Sequence, residues 1–223
     1  MEIFPIAHIE TDFNEKFGIP RQSGKVDSLE ARIVFKENYR NPDALREIEG
    51  FSHLWLLFDF SLAHREGFNP TVRPPRLGGN RKIGVFASRS PFRPNNIGLS
   101  SVRLLRVEKT ENQGDVLIVS GADLLNGTPI YDIKPYLKYT DSHPDAICGY
   151  ADEALSHKLS VEISDELLKE IPQNKRKALT QCIAEDPRPS YQDDGRVYTM
   201  NFSNMEISFT VNENCAKIIK IAK

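Results

Sequence analysis

The sequence predicts a mainly β protein, with a β-barrel over its first two thirds and a small α+β domain at its C-terminus. Three observations carry this. Short strand-like runs punctuated by Gly and Pro recur up to about residue 150. Helical periodicity becomes prominent only beyond that point, and two alternating runs follow it near the end. The boundary falls near Tyr150, which gives one domain over 1–150 and a second over 151–223.

Taken in order, Leu29 to Phe35 alternates apolar positions 29, 31, 33 and 35 with more polar ones, as a half-buried strand does. Asn41 can cap, Pro42 suits a first helical turn and Gly50 can close the end, so one short connecting helix is expected over 41–50. Ser52 to Phe60 and Asp115 to Ser120 are more continuously apolar and read as strands covered on both faces. Arg81 to Ala87 and Ser101 to Val107 add two more. In the C-terminal part, Ser164 to Ile171 and Asn174 to Ile183 read as helices, with Ser164 as an N-cap. Arg196 to Phe202 and Met205 to Val211 then form a hairpin turning at Ser203-Asn204.

The formal net charge of −2 hides a segregation. From Gly67 to Val107 lie eight basic residues and no acidic one, leaving 21 basic against 31 acidic residues elsewhere. Such a segment either attracts a polyanion to one face or is a set of solvated loop charges. No apolar stretch approaches the roughly 20 residues of a membrane span, and the N-terminus lacks a secretory pattern, so the expected location is cytoplasmic with no membrane partner. Cys148, Cys182 and Cys215 are odd in number and far apart; they are expected to be reduced, mostly buried thiols. The five histidines show no ligand spacing, and no metal is expected.

Three segments are rich in Pro, Gly and polar side chains, the first of them too much so to be ordinary strand. The first combines Pro74 to Gly79 with Gly84 to Gly98; clustered Arg and Asn there favour a ligand site over tight barrel corners. The second, Asp123 to Tyr136, holds an Asn126-Gly127 turn and places Asp132, Lys134 and Tyr136 on one face of a strand, as a structural network or a polar site. The third is Lys16 to Gln22. Neither GxGxxG nor GxxxxGK[ST] occurs, so no Rossmann site or P-loop is indicated. Asp186 to Tyr191 reads as a conformational element or, through Arg188 and Tyr191, as an RNA contact.

At these residues the chain resembles the TsaA-like family, whose bacterial members are TrmO-type tRNA (N6-threonylcarbamoyladenosine-37) N6-methyltransferases. The resemblance runs through Ile19 to Gln22, Phe51 to Trp55, Thr71 to Asn80, Gly84 to Ser90, Gly127 to Pro129, Asp132 to Tyr136 and Asp186 to Pro189, spanning essentially the whole chain. It implies a β-barrel catalytic domain, a homodimer, S-adenosylmethionine as cofactor and the tRNA anticodon stem-loop as substrate. Carried over by position, the implied cofactor contacts are Pro20, Arg21, Gln22, Ser61, Leu62, Arg89, Leu99, Asn126, Gly127, Thr128 and Pro129. Arg89 is suited to the cofactor carboxylate. The chain departs from many relatives at Ser61-Leu62, where they have His-Gln, at Asn126, where they often have Asp, and at Asn96, a common proline.

Methyl transfer to an amide-like N6 requires alignment behind the methyl group and an outlet for the N6 proton. Asp132 or Tyr136 is a conceivable general base or orienting group, and no catalytic residue is assigned. A non-catalytic RNA-binding module is the rival reading. A hydrolase ranks last, because no Ser/His/Asp or Cys/His spacing is present.

Overall fold

The computed structural model describes residues 2–74, 81–154, 158–188 and 195–223. Arg76, His157, Pro189 and Tyr191 therefore lie outside the described residues, as does most of the block from Thr71 to Asn80.

The fold is mainly β. Six antiparallel strands pair in a ring: β1 (Ala7–Glu10), β2 (Glu30–Phe35), β7 (Gly114–Ser120), β6 (Ile97–Thr110), β3 (His53–Asp59) and β8 (Pro129–Pro135), which returns to β1 and closes a barrel. Alternation turns Ile9, Ile33, Leu54, Leu56, Val102, Leu117 and Ile130 into its interior. β4 (Thr71–Val72) and β5 (Ile83–Gly84) form a separate two-stranded ladder. Beyond α1 (Lys138–Asp141) comes a second sheet in the order β10 (Val197–Phe202), β11 (Met205–Asn212), β12 (Cys215–Ala222) and β9 (Ser160–Glu162), with α2 (Asp165–Glu170) and α3 (Gln173–Ala184).

The C-terminal core is not built from C-terminal residues alone. Phe13, Val26 and Leu29 join Leu179, Cys182, Ile183, Phe202 and Phe209 in one buried cluster. Phe13 meets Phe202 edge to face at 5.6 Å, and Phe17 stacks on Tyr198 at 6.4 Å and on Phe209 at 6.5 Å. Lys175 of α3 donates to both carboxylate oxygens of Asp12 at 2.8 and 2.6 Å. The loop from Thr11 to Leu29 is thus held between the barrel and the second sheet.

Several expectations need correction. Over 41–50 the chain forms two separate 3-10 turns, Pro42–Leu45 and Ile48–Gly50, rather than one helix. Asn41 does cap, accepting from the Asp43 amide at 3.0 Å, but left-handed Glu47 (φ 68°) interrupts the run. β3 is buried on one face only; Trp55 and Leu57 point outward into partial cover. Leu29 leaves the barrel face that the alternation gave it and enters the other core. Arg81 to Ala87 holds only the two-residue β5 before a 3-10 turn at Val85–Ala87. Of the cysteines only Cys182 is buried; Cys148 is exposed and Cys215 half-buried, and all three are unpaired. The Ser164 cap, which accepts from the Leu167 amide, and the hairpin with left-handed Ser203 (φ 50°) and Asn204 (φ 61°) follow the sequence pattern.

Candidate functional site

A cleft of about 230 Å³ opens at the end of β3. Phe58, Asp59 and Phe60 run into it from β3, and Ser61, Leu62 and Ala63 continue along its rim. Asp123, Leu124, Leu125 and Thr128, from the loop between β7 and β8, also line it, and Lys16, Ile19 and Pro91 complete the lining. Most of the lining is apolar, so a flat heteroaromatic group can be sandwiched there while a few polar groups fix its orientation.

Asp123 is the chief such group. Its Oδ1 accepts from Ser100 Oγ at 2.6 Å. Burial pushes its carboxyl above the usual carboxylate range, opposed by Ser100, by backbone amides including that of Ser23, and by the charge of Arg89. At the rim, Asp59 Oδ1 lies 2.6 Å from His64 Nε2. A bulge between Leu57 and Phe58 in the β3–β8 ladder brings Tyr131 to Asp59, and burial followed by the Asp59 charge and hydrogen bond pushes that phenol up.

The residues singled out in the sequence divide into those the cleft gathers and those it does not. Ser61, Leu62 and Thr128 line it. Gln22 and Arg89 meet each other nearby, Arg89 Nη1 donating to Gln22 Oε1 at 2.6 Å. Arg21, beside buried Pro20, donates to the carbonyl of Arg188 at 2.7 Å. Asn126 spends both ends of its amide on scaffolding: Oδ1 accepts from the Thr11 amide at 3.1 Å, and Nδ2 donates to Asn14 at 3.0 Å. Gly127 has the positive φ (77°) its turn requires, and its amide donates to the Ile9 carbonyl at 2.8 Å; Pro129 opens β8 opposite His8. Leu99 sits outside the cleft on the barrel's outer wall, paired with Leu57 and 54% exposed.

Asp132, Lys134 and Tyr136 do share a face, but it is the outer one. Lys134 pairs with Asp132 at 2.9 Å, and Tyr136 packs on Trp55 with ring centroids 5.5 Å apart. Neither conceivable base lines the cleft of its own chain. Trp55 Nε1 donates to Asp141 at 2.8 Å; that carboxyl is held low by the Leu137 amide and then by the indole.

Nor is the basic segment one uniform patch. Arg93 turns inward to the Ser88 carbonyl at 2.8 Å and Arg106, though exposed, is paired with Glu108 at 2.6 Å; Arg73, Lys82, Arg89 and Arg103 are exposed as well. Arg188 is buried and grips Asp186 with two guanidinium nitrogens, at 2.8 and 3.1 Å. It therefore acts as a conformational element, holding Arg21, rather than as an outward RNA contact. Lys16, Pro91 and Asp123 lie within the three polar segments and Asp59 outside them; chain closure and not local pattern brings the four together. Among the described residues no group of three or more His, Cys, Asp or Glu side chains gathers in a way that could hold a metal.

Comparison with known proteins extends this geometry. Residues 8–142 match the family model for the tRNA-methyltransferase O N-terminal domain, and residues 156–223 match that for the TrmO C-terminal domain. The tRNA (adenine(37)-N6)-methyltransferase of Escherichia coli is 38% identical over 217 residues, covering 93% of this chain and 92% of the relative. That of Eikenella corrodens is 48% identical over 171 residues, 75% of this chain and 95% of the relative. The crystal structure of TrmO from Pseudomonas aeruginosa superposes with a TM-score of 0.78 at 31% identity, covering all of this chain and 99% of the other. With both halves matched, and full-length relatives above 30% identity, the chain belongs to the tRNA-methyltransferase O family.

Proposed function

We propose that this chain is an S-adenosylmethionine-dependent tRNA methyltransferase that methylates N6 of threonylcarbamoyladenosine at position 37 of the anticodon loop. The observation that carries the proposal is the cleft itself: a family motif residue, Thr128, lines it together with the Ser61-Leu62 pair and the half-buried Asp123. The chemistry of the lining fits the cofactor. Ile19, Phe58, Leu124 and Leu125 offer apolar surface to an adenine, and the Asp123 carboxylate favours a cationic or hydroxyl-bearing group. Pro20, Arg21, Gln22, Ser61, Leu62, Arg89, Leu99 and Asn126 to Pro129 are the proposed cofactor shell. Within it, Asn126 and Gly127 act by fixing the turn, and Arg89, held by Gln22, is placed to take a carboxylate.

The cofactor supplies an electrophilic methyl group on a sulfonium. The chain's own work is to exclude water with the apolar walls, to hold the acceptor nitrogen in line, and to take up the proton that N6 releases. Asp59 and Asp123 are the carboxylates on the cleft.

Residues 1–150 are read as the catalytic barrel domain and 151–223 as an α+β domain that braces it through Phe13, Phe17 and Asp12. Leu99 lies on the outer wall, away from its own cleft, and this fits a homodimer in which it faces the partner's site. No helix among the described residues is long and apolar enough to cross a membrane, and the proposed setting is cytoplasmic.

The deciding experiment is nucleoside mass spectrometry on tRNA from cells lacking this protein, before and after incubation with the purified chain and S-adenosylmethionine. A threonylcarbamoyladenosine heavier by one methyl group is the expected product. Tight tRNA binding with no new nucleoside would instead establish a non-catalytic RNA-binding module.

A further inference from the structure

Beside the cleft lies an apolar surface that burial does not explain. Phe86 is 74% exposed and Phe68 50%, with ring centroids 6.4 Å apart and planes inclined by 31°. Phe92 is also exposed and carries the Arg65 guanidinium 3.8 Å above its ring centroid. Three exposed phenylalanines from two adjoining loops are costly to leave in water without a partner.

The loops that present them are pinned. Thr71 pairs with Gly84 and Val72 with Ile83, while the Val85 amide donates to the Pro70 carbonyl at 2.9 Å. Asn96 Nδ2 donates to the carbonyls of Pro91 and Ala63, at 2.7 and 3.3 Å, and Arg93 Nη1 to that of Ser88 at 2.8 Å. The same loops contribute Leu62 and Pro91 to the cleft. The rings are therefore carried by pinned loops that also supply part of the cleft, with little ordering left to do on binding.

Their surroundings select the partner. Arg73 and Lys82, both exposed, flank the end of the β4–β5 ladder, and Glu66 is the only acidic residue between Phe60 and Val107. Flat rings in a cationic setting match unpaired nucleobases strung on phosphates: bases stack on the rings, and cations meet the backbone. An apolar protein partner would leave that charge unanswered.

We propose that Phe68 and Phe86 form a stacking platform for unpaired anticodon-loop bases next to the target adenosine, with Arg65, Arg73 and Lys82 on the flanking phosphates. This rests on the tRNA reading above and adds to it the surface by which the loop is splayed into the cleft.

The test uses the full chain and a synthetic anticodon stem-loop carrying 2-aminopurine beside the target adenosine, whose emission is quenched on stacking. Phe86→Ala is expected to weaken the stem-loop Kd by about 5- to 150-fold, the loss of one base stack, and to abolish the quench. Phe86→Trp should retain both. The Kd for S-adenosylmethionine and the sedimentation coefficient should not change. Unaltered affinity and quenching in the Phe68→Ala, Phe86→Ala double variant, with the unsubstituted chain binding normally, would overturn the platform alone. So would a drop in sedimentation coefficient accompanying lost binding, since the rings would then cover a second copy. A chain that binds no stem-loop would remove the tRNA reading and the platform together.

Discussion

Phe13→Ala tests whether the loop after β1 belongs energetically to the C-terminal core. Phe13 is 1% exposed and packs in the same buried cluster as Cys182. Truncating a buried Phe to Ala costs about 3–5 kcal/mol, of which an edge-to-face partner such as Phe202 accounts for about 0.5–1.5. The Cys182 thiol, 2% exposed and with its pKa pushed up by burial, reacts only when this core opens. Where reclosing outpaces alkylation, the labelling rate follows the open population, so 3–5 kcal/mol becomes roughly 150- to 5,000-fold faster labelling of Cys182. Exposed Cys148 is the internal control for the reagent, and Trp55, the chain's single tryptophan, reports the barrel by its fluorescence. Site-resolved alkylation with mass detection under native conditions gives the number. An acceleration below about fivefold, equivalent to about 1 kcal/mol, would refute the assignment of Phe13 to this core. The Phe13 carbonyl also accepts from the Asn126 amide at 2.7 Å, so the variant should lose cofactor affinity as well.

Three further outcomes follow from the same geometry. In Gly98→Ala the new Cβ is driven into the Phe58 ring at the cleft wall; overpacking of about 1–3 kcal/mol lowers the thermal midpoint by about 2–12 °C, read by calorimetry. Asp123 has a raised folded pKa, so its contribution to stability is complete below the ordinary carboxylate pKa near 3.9 and is lost as pH rises through the folded value. The midpoint of Asp123→Asn relative to the unsubstituted chain should accordingly improve from about pH 4 to pH 7, and a pH-independent difference would contradict the burial of that carboxyl. Reversing Arg73 and Arg76 to Glu should weaken tRNA affinity and, at one phosphate each, flatten its dependence on log salt by about 1.4 to 1.8; an unchanged slope removes them from the interface.

What the sequence made legible was local. The Ser203-Asn204 hairpin and the Ser164 cap each depend on two to four neighbouring residues, and both stand where their chemistry puts them. The helix expected over 41–50 had the right cap but lacked a sequence cue for Glu47 adopting left-handed φ. β3 read as buried on both faces because hydrophobicity does not distinguish burial from partial cover; Trp55 is covered by Tyr136 and by Asp141, more than 80 residues later. Leu29 continues the alternation of β2, so period alone assigned it to the wrong core. Of the positions implied by the resemblance, Thr128, within a family motif, and Ser61 and Leu62, by position alone, line the cleft.

The rest of the site was hidden because it is made by closure. Lys16, Asp59 and Asp123 share no local pattern; they meet because β8 pairs with both β1 and β3, bringing the loops beside those strands to one end of the barrel. That arrangement gives the C-terminal sheet a role its own generic residues do not disclose. Arg188 holds Arg21 through its carbonyl, and Asp12 and Phe13 are held by Lys175 and Phe202. The Phe13 and Ile9 carbonyls in turn fix the Asn126-Gly127 turn. Two of the four chain segments around the cleft are thus anchored, directly or through one hydrogen bond, in a core that the barrel does not contain. Loss of the second core should therefore appear first as lost cofactor affinity, with the barrel's own strands still paired.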